Sequence, residues 1–265
     1  MRSERFLIEY AGQQVSIASA VRKSGKHLIA CLHGWGCAKE CFAGIFDSAA
    51  IDTGALGEMS ILALDFPGHG ESDDLADASL YSIPVFADIA NAVIDLFSPA
   101  QVSFVGHSMG GAVCLIASQA RHDIYGIVDA DGNLVAQDCG IVSRETASQT
   151  LDRFRQHGYQ EFLRRLKSSD GQDAKAWASW YSKADPVALH ELARSLVEWS
   201  DSGKLLDFLK SQSRAVYLYG DQDSKDYLLP ELSAMETRLI GGSGHFMMLD
   251  NPVAFFNAVA DFFAA

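Results

Sequence analysis

The sequence predicts an α/β fold in which a mostly parallel eight-stranded sheet carries helices on both faces. Three observations predict it: short β-rich apolar runs recur along the chain, helical patterns stand between the later runs, and this alternation stops for one long stretch before it resumes. Strands and helices in alternation build a parallel sheet that is covered on both sides. The long interruption predicts a helical insertion into that core.

Eight apolar runs are the candidate strands. The first two are joined by Ala-Gly-Gln-Gln and predict a hairpin. The later runs are apolar at nearly every position, which is typical of strands buried on both faces. The runs are RFLIEY (5–10), VSIASA (15–20), LIACL (28–32), ILALD (61–65), VSFVG (102–106), GIVDA (126–130), AVYLY (215–219) and TRLI (237–240).

Three helices are indicated after candidate strands of the sheet. Ser82 is a suitable N-cap for a helix whose apolar residues form one stripe. A second helix follows Ser108, and a third starts at Pro252, because proline is favourable in the first helical turn. Each helix follows a strand, as the predicted architecture requires.

The interruption covers residues 133–212, which hold several helical patterns and no convincing strand. Three of the four tryptophans lie there: Trp177, Trp180 and Trp199. We predict a core domain of residues 1–132 and 213–265, with residues 133–212 as a helical cap over the carboxyl edge of the sheet, where open α/β folds bind ligands. The alternative is a set of packing helices with no role in substrate choice.

Composition and charge narrow the class of function. The chain has 265 residues, 48% of them apolar, and a net charge of −13. Such an acidic surface repels phosphate backbones and anionic lipids, so neither nucleic acid nor a membrane is expected as a partner. No apolar run reaches the ~18 residues of a membrane span, and the N-terminus lacks a signal-peptide pattern.

The cysteines predict reduced thiols and a cytoplasmic location. There are five, an odd number, and two fall inside apolar segments. Cys37 and Cys41 have no second Cys/His pair at ligand spacing, so no metal site is expected.

The segment GHSMG (106–110) carries the strongest chemical signal. It directly follows an apolar run and directly precedes a helical pattern, so Ser108 would stand on a strained strand-to-helix turn. Gly106 and Gly110 supply no Cβ at the positions where such a turn has no room for one. In this context Ser108 is predicted to be a nucleophile and not a passive serine in a glycine-rich turn.

A serine nucleophile needs a base, and the base needs an acid. His245, in GGSGHF after the last run, is predicted to be the base. The acid is expected between serine and histidine in the chain, and Asp223 in YLYGDQD is the favoured candidate. Three alternatives stay open: Asp131, Asp129 and Asp221.

An oxyanion hole needs two preorganised N–H donors, each worth ~2.7–4 kcal/mol. We predict the backbone of Met109, directly after the nucleophile, and that of Trp35 in LHGWG (32–36). The ring of Trp35 is also expected to wall the acyl pocket. The turn DFPGHGES (65–72) is expected to be structural.

Together these segments resemble the α/β-hydrolase superfamily. HGWG, DFPGHGES, GHSMGG, GDQD and GSGHF stand in the family's order over about residues 5–263, the insertion excepted. HGWG with a serine elbow is most similar to the serine carboxylesterase branch that includes the pimeloyl-carrier methyl ester esterases. The resemblance implies a triad and an oxyanion hole, and no cofactor. The implied residues are Ser108, Asp223 and His245 for the triad, and Trp35 and Met109 for the oxyanion hole.

Two departures limit the resemblance. The proline that often follows the acid is delayed to Pro230, and the insertion shows no motif for a defined substrate. Ser108 in place of an aspartate argues against dehalogenase or epoxide hydrolase chemistry.

The predicted function is cleavage of a small or medium carboxylic ester through an acyl-enzyme. The expected partner is a small-molecule, ester-like substrate with an apolar portion. The same triad could serve a thioesterase, a lactonase or a C–C bond hydrolase, because the fold alone cannot choose among them. An alternative of another class is a non-catalytic, ligand-binding hydrolase homologue.

Overall fold

A computed structural model describes residues 2–47 and 55–264 of the chain. Residues 1, 48–54 and 265, which belong to the predicted core domain, lie outside the described residues. All eight apolar runs coincide with strands. The strands are β1 (Arg2–Tyr10), β2 (Gln13–Arg22), β3 (His27–Leu32), β4 (Ser60–Leu64), β5 (Gln101–His107), β6 (Ile124–Ala130), β7 (Ala215–Gly220) and β8 (Glu236–Ile240).

The eight strands form one sheet in the order β1-β2-β4-β3-β5-β6-β7-β8. Strand β2 is antiparallel to both of its neighbours, and the remaining pairs are parallel. The predicted α/β class with a mostly parallel sheet is therefore confirmed. The loops after β3, β5, β6, β7 and β8 all leave the sheet at the same edge.

Helices lie in the segments that connect the strands, and one more helix forms the end of the described chain. The α-helices are α1 (Ala43–Asp47), α2 (Ile83–Asp95), α3 (Met109–Gln119), α4 (Gly140–Ala147), α5 (Leu151–Arg153), α6 (Tyr159–Lys167), α7 (Gln172–Tyr181), α8 (Pro186–Asp201), α9 (Lys204–Ser211), α10 (Met247–Asp250) and α11 (Pro252–Ala264). Short 3₁₀ turns lie at Lys39–Phe42, Ala55–Glu58, Ala78–Leu80 and Ala136–Cys139, and a π-helical turn, Phe154–Gly158, joins α5 to α6.

The three predicted helices begin where the sequence places them. The Ser82 hydroxyl accepts a hydrogen bond from the Val85 N–H at 3.5 Å and caps α2. Helix α3 starts directly after Ser108, and Pro252 is the first residue of α11.

The core consists of two apolar clusters, one on each face of the sheet. Phe104 faces the cluster that includes α2 and α3, whereas the next residue of β5, Val105, faces the cluster that includes α11. Successive side chains of a strand point to opposite faces. Both faces of the central strands are therefore buried, which explains why their sequences are apolar at nearly every position.

The segment between β6 and β7, all of it described, contains helices α4 to α9 and no strand. Helix α8 packs on α4, and the Leu189 carbonyl of α8 accepts a hydrogen bond from the Trp35 indole at 2.8 Å. Helix α9 packs on α3 beside the sheet, where Gln212 donates to Ser118 at 3.3 Å. The boundaries of the cap at residues 133 and 212 stay a prediction.

All five cysteines are buried, unpaired thiols. Burial raises the pKa of the Cys41 and Cys114 thiols well above the ordinary value, so the reactive thiolate is disfavoured. In the described ranges, no helix is both long and apolar enough to span a membrane.

Candidate active site

Ser108 stands on a sharp turn between β5 and α3. Its backbone has φ of 54° and ψ of −121°, a conformation that non-glycine residues rarely adopt. A Cβ on Gly106 would lie 2.5 Å from the Gly110 carbonyl oxygen, and a Cβ on Gly110 would overlap the Leu32 carbonyl. The two glycines thus allow β5, α3 and the end of β3 to approach closely enough to form the turn.

The Ser108 hydroxyl has a neighbour that the sequence pattern did not indicate. It donates to the side-chain oxygen of Asn133 at 3.4 Å, and the Asn133 amide nitrogen donates to the Asp138 carbonyl at 2.9 Å. The second bond fixes the orientation of the amide. The first is long for an O–H···O hydrogen bond, so the hydroxyl is loosely held and can turn toward another acceptor.

His245 follows the turn after β8 and presents a partly exposed imidazole. Its Nδ1 lies 2.8 Å from Asp131 Oδ2, and the exposed fractions of the two side chains are 38% and 2%. A carboxylate only accepts hydrogen bonds, so Nδ1 of the neutral ring carries the proton. Nε2 is then left as a proton acceptor, as a general base requires.

The expectation that Asp223 orients the imidazole is wrong, because His245 has Asp131 as its carboxylate partner. Strands β6 and β7 are parallel neighbours, with Ala130 opposite Leu218. The loops that follow the two strands therefore both begin near His245. Asp131 lies in the first turn after β6 with a φ of 51°, and its N–H donates to the Leu218 carbonyl at 2.8 Å. Asp223 lines the same cavity from the loop after β7.

The other two alternatives have different surroundings. Asp129 is completely buried, and no side chain of the described residues forms an ion pair or hydrogen bond with its carboxylate. Burial raises its pKa well above the ordinary value. Asp221 accepts the N–H groups of Gly242 at 2.9 Å and Ser243 at 3.1 Å, and so holds the turn after β8.

The second oxygen of Asp131 is also occupied. Oδ1 forms an ion pair with Lys225 Nζ and accepts the Tyr217 hydroxyl at 3.1 Å. Burial alone would raise the pKa of Asp131, but the charges and hydrogen bonds of His245 and Lys225 outweigh it and hold the pKa well below the usual range. Asp131 is therefore ionised at neutral pH.

Trp35 is anchored in the loop after β3. Besides the indole bond to α8, its carbonyl accepts the Trp177 indole N–H at 3.2 Å. Met109 is the first residue of α3, where backbone N–H groups have no acceptor within the helix. Of the two residues predicted for the oxyanion hole, Met109 therefore directly follows Ser108 in the chain, and Trp35 lines the same cavity as Ser108.

Two buried histidines hold the Trp35 loop. His33 Nδ1 donates to the Gly34 carbonyl at 2.8 Å, and His33 Nε2 accepts the Phe66 N–H at 3.1 Å. His69 Nε2 accepts the Gly36 N–H at 3.3 Å. Burial lowers the pKa of His33 to about 4 and that of His69 to about 3, so both rings are neutral and keep an acceptor nitrogen.

A cavity of about 390 Å³ opens over the site. Its apolar wall combines Trp35 with residues of the insertion and of the loop after β8, namely Val142, Trp177 and Phe246. Ser108, Asp131 and His245 line the same cavity. Within residues 2–47 and 55–264, no group of three or more His, Cys, Asp or Glu side chains is placed to bind a metal ion.

Residues 29–259 match the family model described as the alpha/beta hydrolase family. The chain belongs to that family. It is therefore an enzyme of the hydrolase class, as its sheet order and strained serine already indicated.

Among relatives, this hydrolase is similar to 2-succinyl-6-hydroxy-2,4-cyclohexadiene-1-carboxylate synthase of Klebsiella pneumoniae, with 24% identity over 227 residues, covering 77% of this chain and 83% of that protein. A shorter match, 33% identical over 105 residues, covers 38% of this chain and 26% of protein phosphatase methylesterase 1 of Mus musculus.

Two solved structures illustrate the shared fold. An esterase from Thermogutta terrifontis has a TM-score of 0.76 at 17% identity and full coverage of both chains. An N-acyl homoserine lactonase has a TM-score of 0.75 at 18% identity, covering 98% of this chain and 96% of its own.

The hydrolase's site contains three residues that the sequence pattern did not single out: Asn133, Tyr217 and Lys225. Lys225 lies only two residues after Asp223, in the loop where an acid was expected. A lysine in an otherwise acidic loop is a weak signal, and nothing in the pattern relates it to Asp131.

Proposed function

We propose that this hydrolase cleaves carboxylic esters through an acyl-enzyme, with Ser108 as nucleophile, His245 as general base and Asp131 as the acid. The observation that carries the proposal is that a serine on a strained turn shares a cavity with an imidazole whose Nδ1 is bound to a buried carboxylate. A catalytic triad is identified by the geometry and the chemical roles of its three side chains, and not by their positions in the chain.

In the proposed reaction, the Ser108 hydroxyl turns from Asn133 to Nε2 of His245 and attacks the ester carbonyl. His245 takes the proton, and the Asp131 carboxylate stabilises the imidazolium that forms. The backbone N–H groups of Met109 and Trp35 receive the charge that develops on the carbonyl oxygen. His245 then protonates the alcohol as its bond to the acyl carbon breaks. A water molecule gives a proton to His245 and attacks the acyl-enzyme, and that proton passes to Ser108 as the bond to the acyl group breaks and the carboxylic acid product leaves.

The cavity supports a small or medium substrate with an apolar portion. A volume of about 390 Å³ lies at the lower end of the usual range for small-molecule sites. Trp35 and Trp177 are large, rigid aromatic surfaces against which an acyl or alcohol group can pack. A net charge of −13 repels phosphate backbones and anionic lipids, so the proposed partner is a small molecule and neither nucleic acid nor a membrane. The cytoplasmic location stays a prediction.

The test combines labelling with turnover. A fluorophosphonate probe should label the folded wild type at Ser108, and p-nitrophenyl esters from acetate to octanoate should be hydrolysed. Ser108→Ala should lose labelling and about 10⁴-fold or more of kcat. Ser148→Ala, at an exposed serine whose hydroxyl donates to the Glu145 carbonyl at 2.9 Å, is the matched control and should equal wild type.

Two results would count against the proposal. Undiminished ester turnover by Ser108→Ala would remove Ser108 from the mechanism. A folded wild type that neither takes the probe nor hydrolyses any ester would favour a ligand-binding homologue. Thioester, lactone and diketone substrates run in parallel would decide which bond is preferred, since the triad serves all of them.

A further inference from the structure

The Asp131 carboxylate is bound on both oxygens by groups from three different segments. Oδ2 faces His245 at 2.8 Å, from the loop after β8. Oδ1 faces Lys225, from the loop after β7, and the Tyr217 hydroxyl of β7 itself at 3.1 Å. The exposed fractions of the Asp131 and Lys225 side chains are 2% and 10%. Charges so far removed from water interact strongly.

Lys225 is held in place by more than one acceptor. Its ammonium group lies 3.9 Å from Asp138 Oδ1 and 3.4 Å from the Tyr227 hydroxyl, in addition to the pair with Asp131. An ammonium group donates three hydrogen bonds and accepts none. The oxygen of Asp131 that faces Lys225 is therefore fixed, and with it the oxygen that faces His245.

We propose that Lys225 is a positioning residue that locks the Asp131 carboxylate toward His245 and offsets its negative charge, so that the active, unprotonated imidazole persists to lower pH. The inference rests on the proposed function, because it assigns Lys225 to the dyad formed by Asp131 and His245.

The charge balance gives the direction of the effect. With a neutral imidazole, Lys225 and Asp131 sum to zero, and a proton on His245 leaves a net positive cluster. Without Lys225 the same proton would instead neutralise the Asp131 charge. The lysine therefore disfavours the imidazolium, which cannot act as a base.

Other titratable groups also face the dyad. They are Asp129, Asp138 and Tyr217 near Asp131, and His107, Asp223 and Asp250 near His245, with the His107 ring packed against the His245 ring. Burial raises the pKa of Tyr217 well above its ordinary value and lowers that of His107 to about 3, so both are neutral. A substitution at Lys225 leaves all of these residues in place, so a comparison with wild type reports on the lysine.

The experiment measures kcat/KM for p-nitrophenyl butyrate from pH 4.5 to 9. In Lys225→Met the acidic limb of the profile should move to higher pH by about one unit, and kcat should fall roughly tenfold as the carboxylate loosens. Lys225→Arg keeps the cation and should restore the limb. Lys210→Met, at a surface lysine paired with Glu231, should match wild type.

NMR titration of the His245 ring in the same variants gives a second readout that needs no substrate. The ring's titration midpoint should move to higher pH in Lys225→Met and return in Lys225→Arg. Lys225→Gln also removes the charge and replaces Lys225→Met in both measurements if Lys225→Met does not fold.

The two readouts separate this inference from the proposed function. An unmoved acidic limb and an unmoved midpoint in a folded, uncharged variant overturn the role of Lys225, even if kcat falls. A midpoint that moves while wild type hydrolyses no ester supports the role of Lys225 and defeats the proposed function.

Discussion

Replacing Asp131 by asparagine is the sharpest test of which carboxylate serves His245, because it keeps the size of the side chain. Lys225 Nζ can only donate, so the oxygen of the new amide has to remain on the lysine side. The amide nitrogen then takes the place of Oδ2, 2.8 Å from Nδ1 of the ring. It donates to Nδ1 and forces the ring proton onto Nε2, the atom that must accept the proton of Ser108.

The expected cost is that of a base locked in the wrong tautomer, about 10⁴-fold in kcat. This corresponds to about 5 kcal/mol of transition-state stabilisation, at ~1.4 kcal/mol per factor of ten. The assay is kcat and KM for p-nitrophenyl butyrate at pH 8. Asp223→Asn is the matched control, because Asp223 lines the same cavity without binding the imidazole, and its kcat should stay within roughly threefold of wild type.

The reverse result would refute this reasoning. If Asp131→Asn kept about a tenth or more of wild-type kcat while Asp223→Asn lost about 10³-fold, the loop after β7 would supply the acid. Thermal unfolding of both variants shows whether a loss of activity reflects chemistry or a loss of the fold.

Three further predictions concern stability. As the pH is lowered from 6.5 to about 4, the free energy of unfolding should fall by about 1.4 kcal/mol per pH unit for each of the buried His33 and His69. Both rings stay neutral in the folded protein but take up protons in the unfolded chain. Urea unfolding at several pH values measures this fall. Gly110→Ala should cost at least about 2 kcal/mol in urea unfolding, since its Cβ would overlap the Leu32 carbonyl. Asp129→Asn should stabilise the fold at pH 8 by about 1–3 kcal/mol but not below pH 3.8, where the raised pKa of Asp129 no longer matters.

Each of these predictions has a control. Stability that does not change from pH 7 to pH 5 would contradict the neutral, buried histidines. Gly241→Ala has room for its Cβ, 3.8 Å from the nearest atom, and should change stability by less than about 1 kcal/mol. Asp261→Asn, at an exposed position, should show no gain that depends on pH. Equal effects of Asp129→Asn at both pH values would contradict the cost assigned to its charge.

The fold was predictable because its central strands are buried on both faces. Phe104 and Val105 are adjacent, point to opposite cores and are both fully buried, so most of β5 is apolar in the sequence. The edge strand was less well determined. Strand β1 starts at Arg2, three residues before the apolar run, because its first residues are largely exposed and carry no apolar signal.

The nucleophile was predictable from the sequence, but the partner of His245 was not. Gly106 and Gly110 indicate the turn at Ser108 because the turn leaves no room for a Cβ at either position, and glycine can be recognised in the sequence. Chain order, in contrast, admits both Asp131 and Asp223. The choice depends on the left-handed backbone of Asp131 and on the contact with Lys225, and neither can be recognised from residue spacing.

The three aspartates at the end of β6 and just beyond it show how neighbours assign a role to a carboxylate. Burial raises the pKa of Asp129, which no cation contacts within the described residues. Burial also raises the pKa of Asp138, although Tyr227 and two backbone N–H groups donate to it. Asp131 is as buried, but Lys225 and His245 hold its pKa well below the usual range. Only a charged carboxylate can stabilise an imidazolium, and among these three Asp131 is the one that faces His245 and whose pKa its neighbours lower.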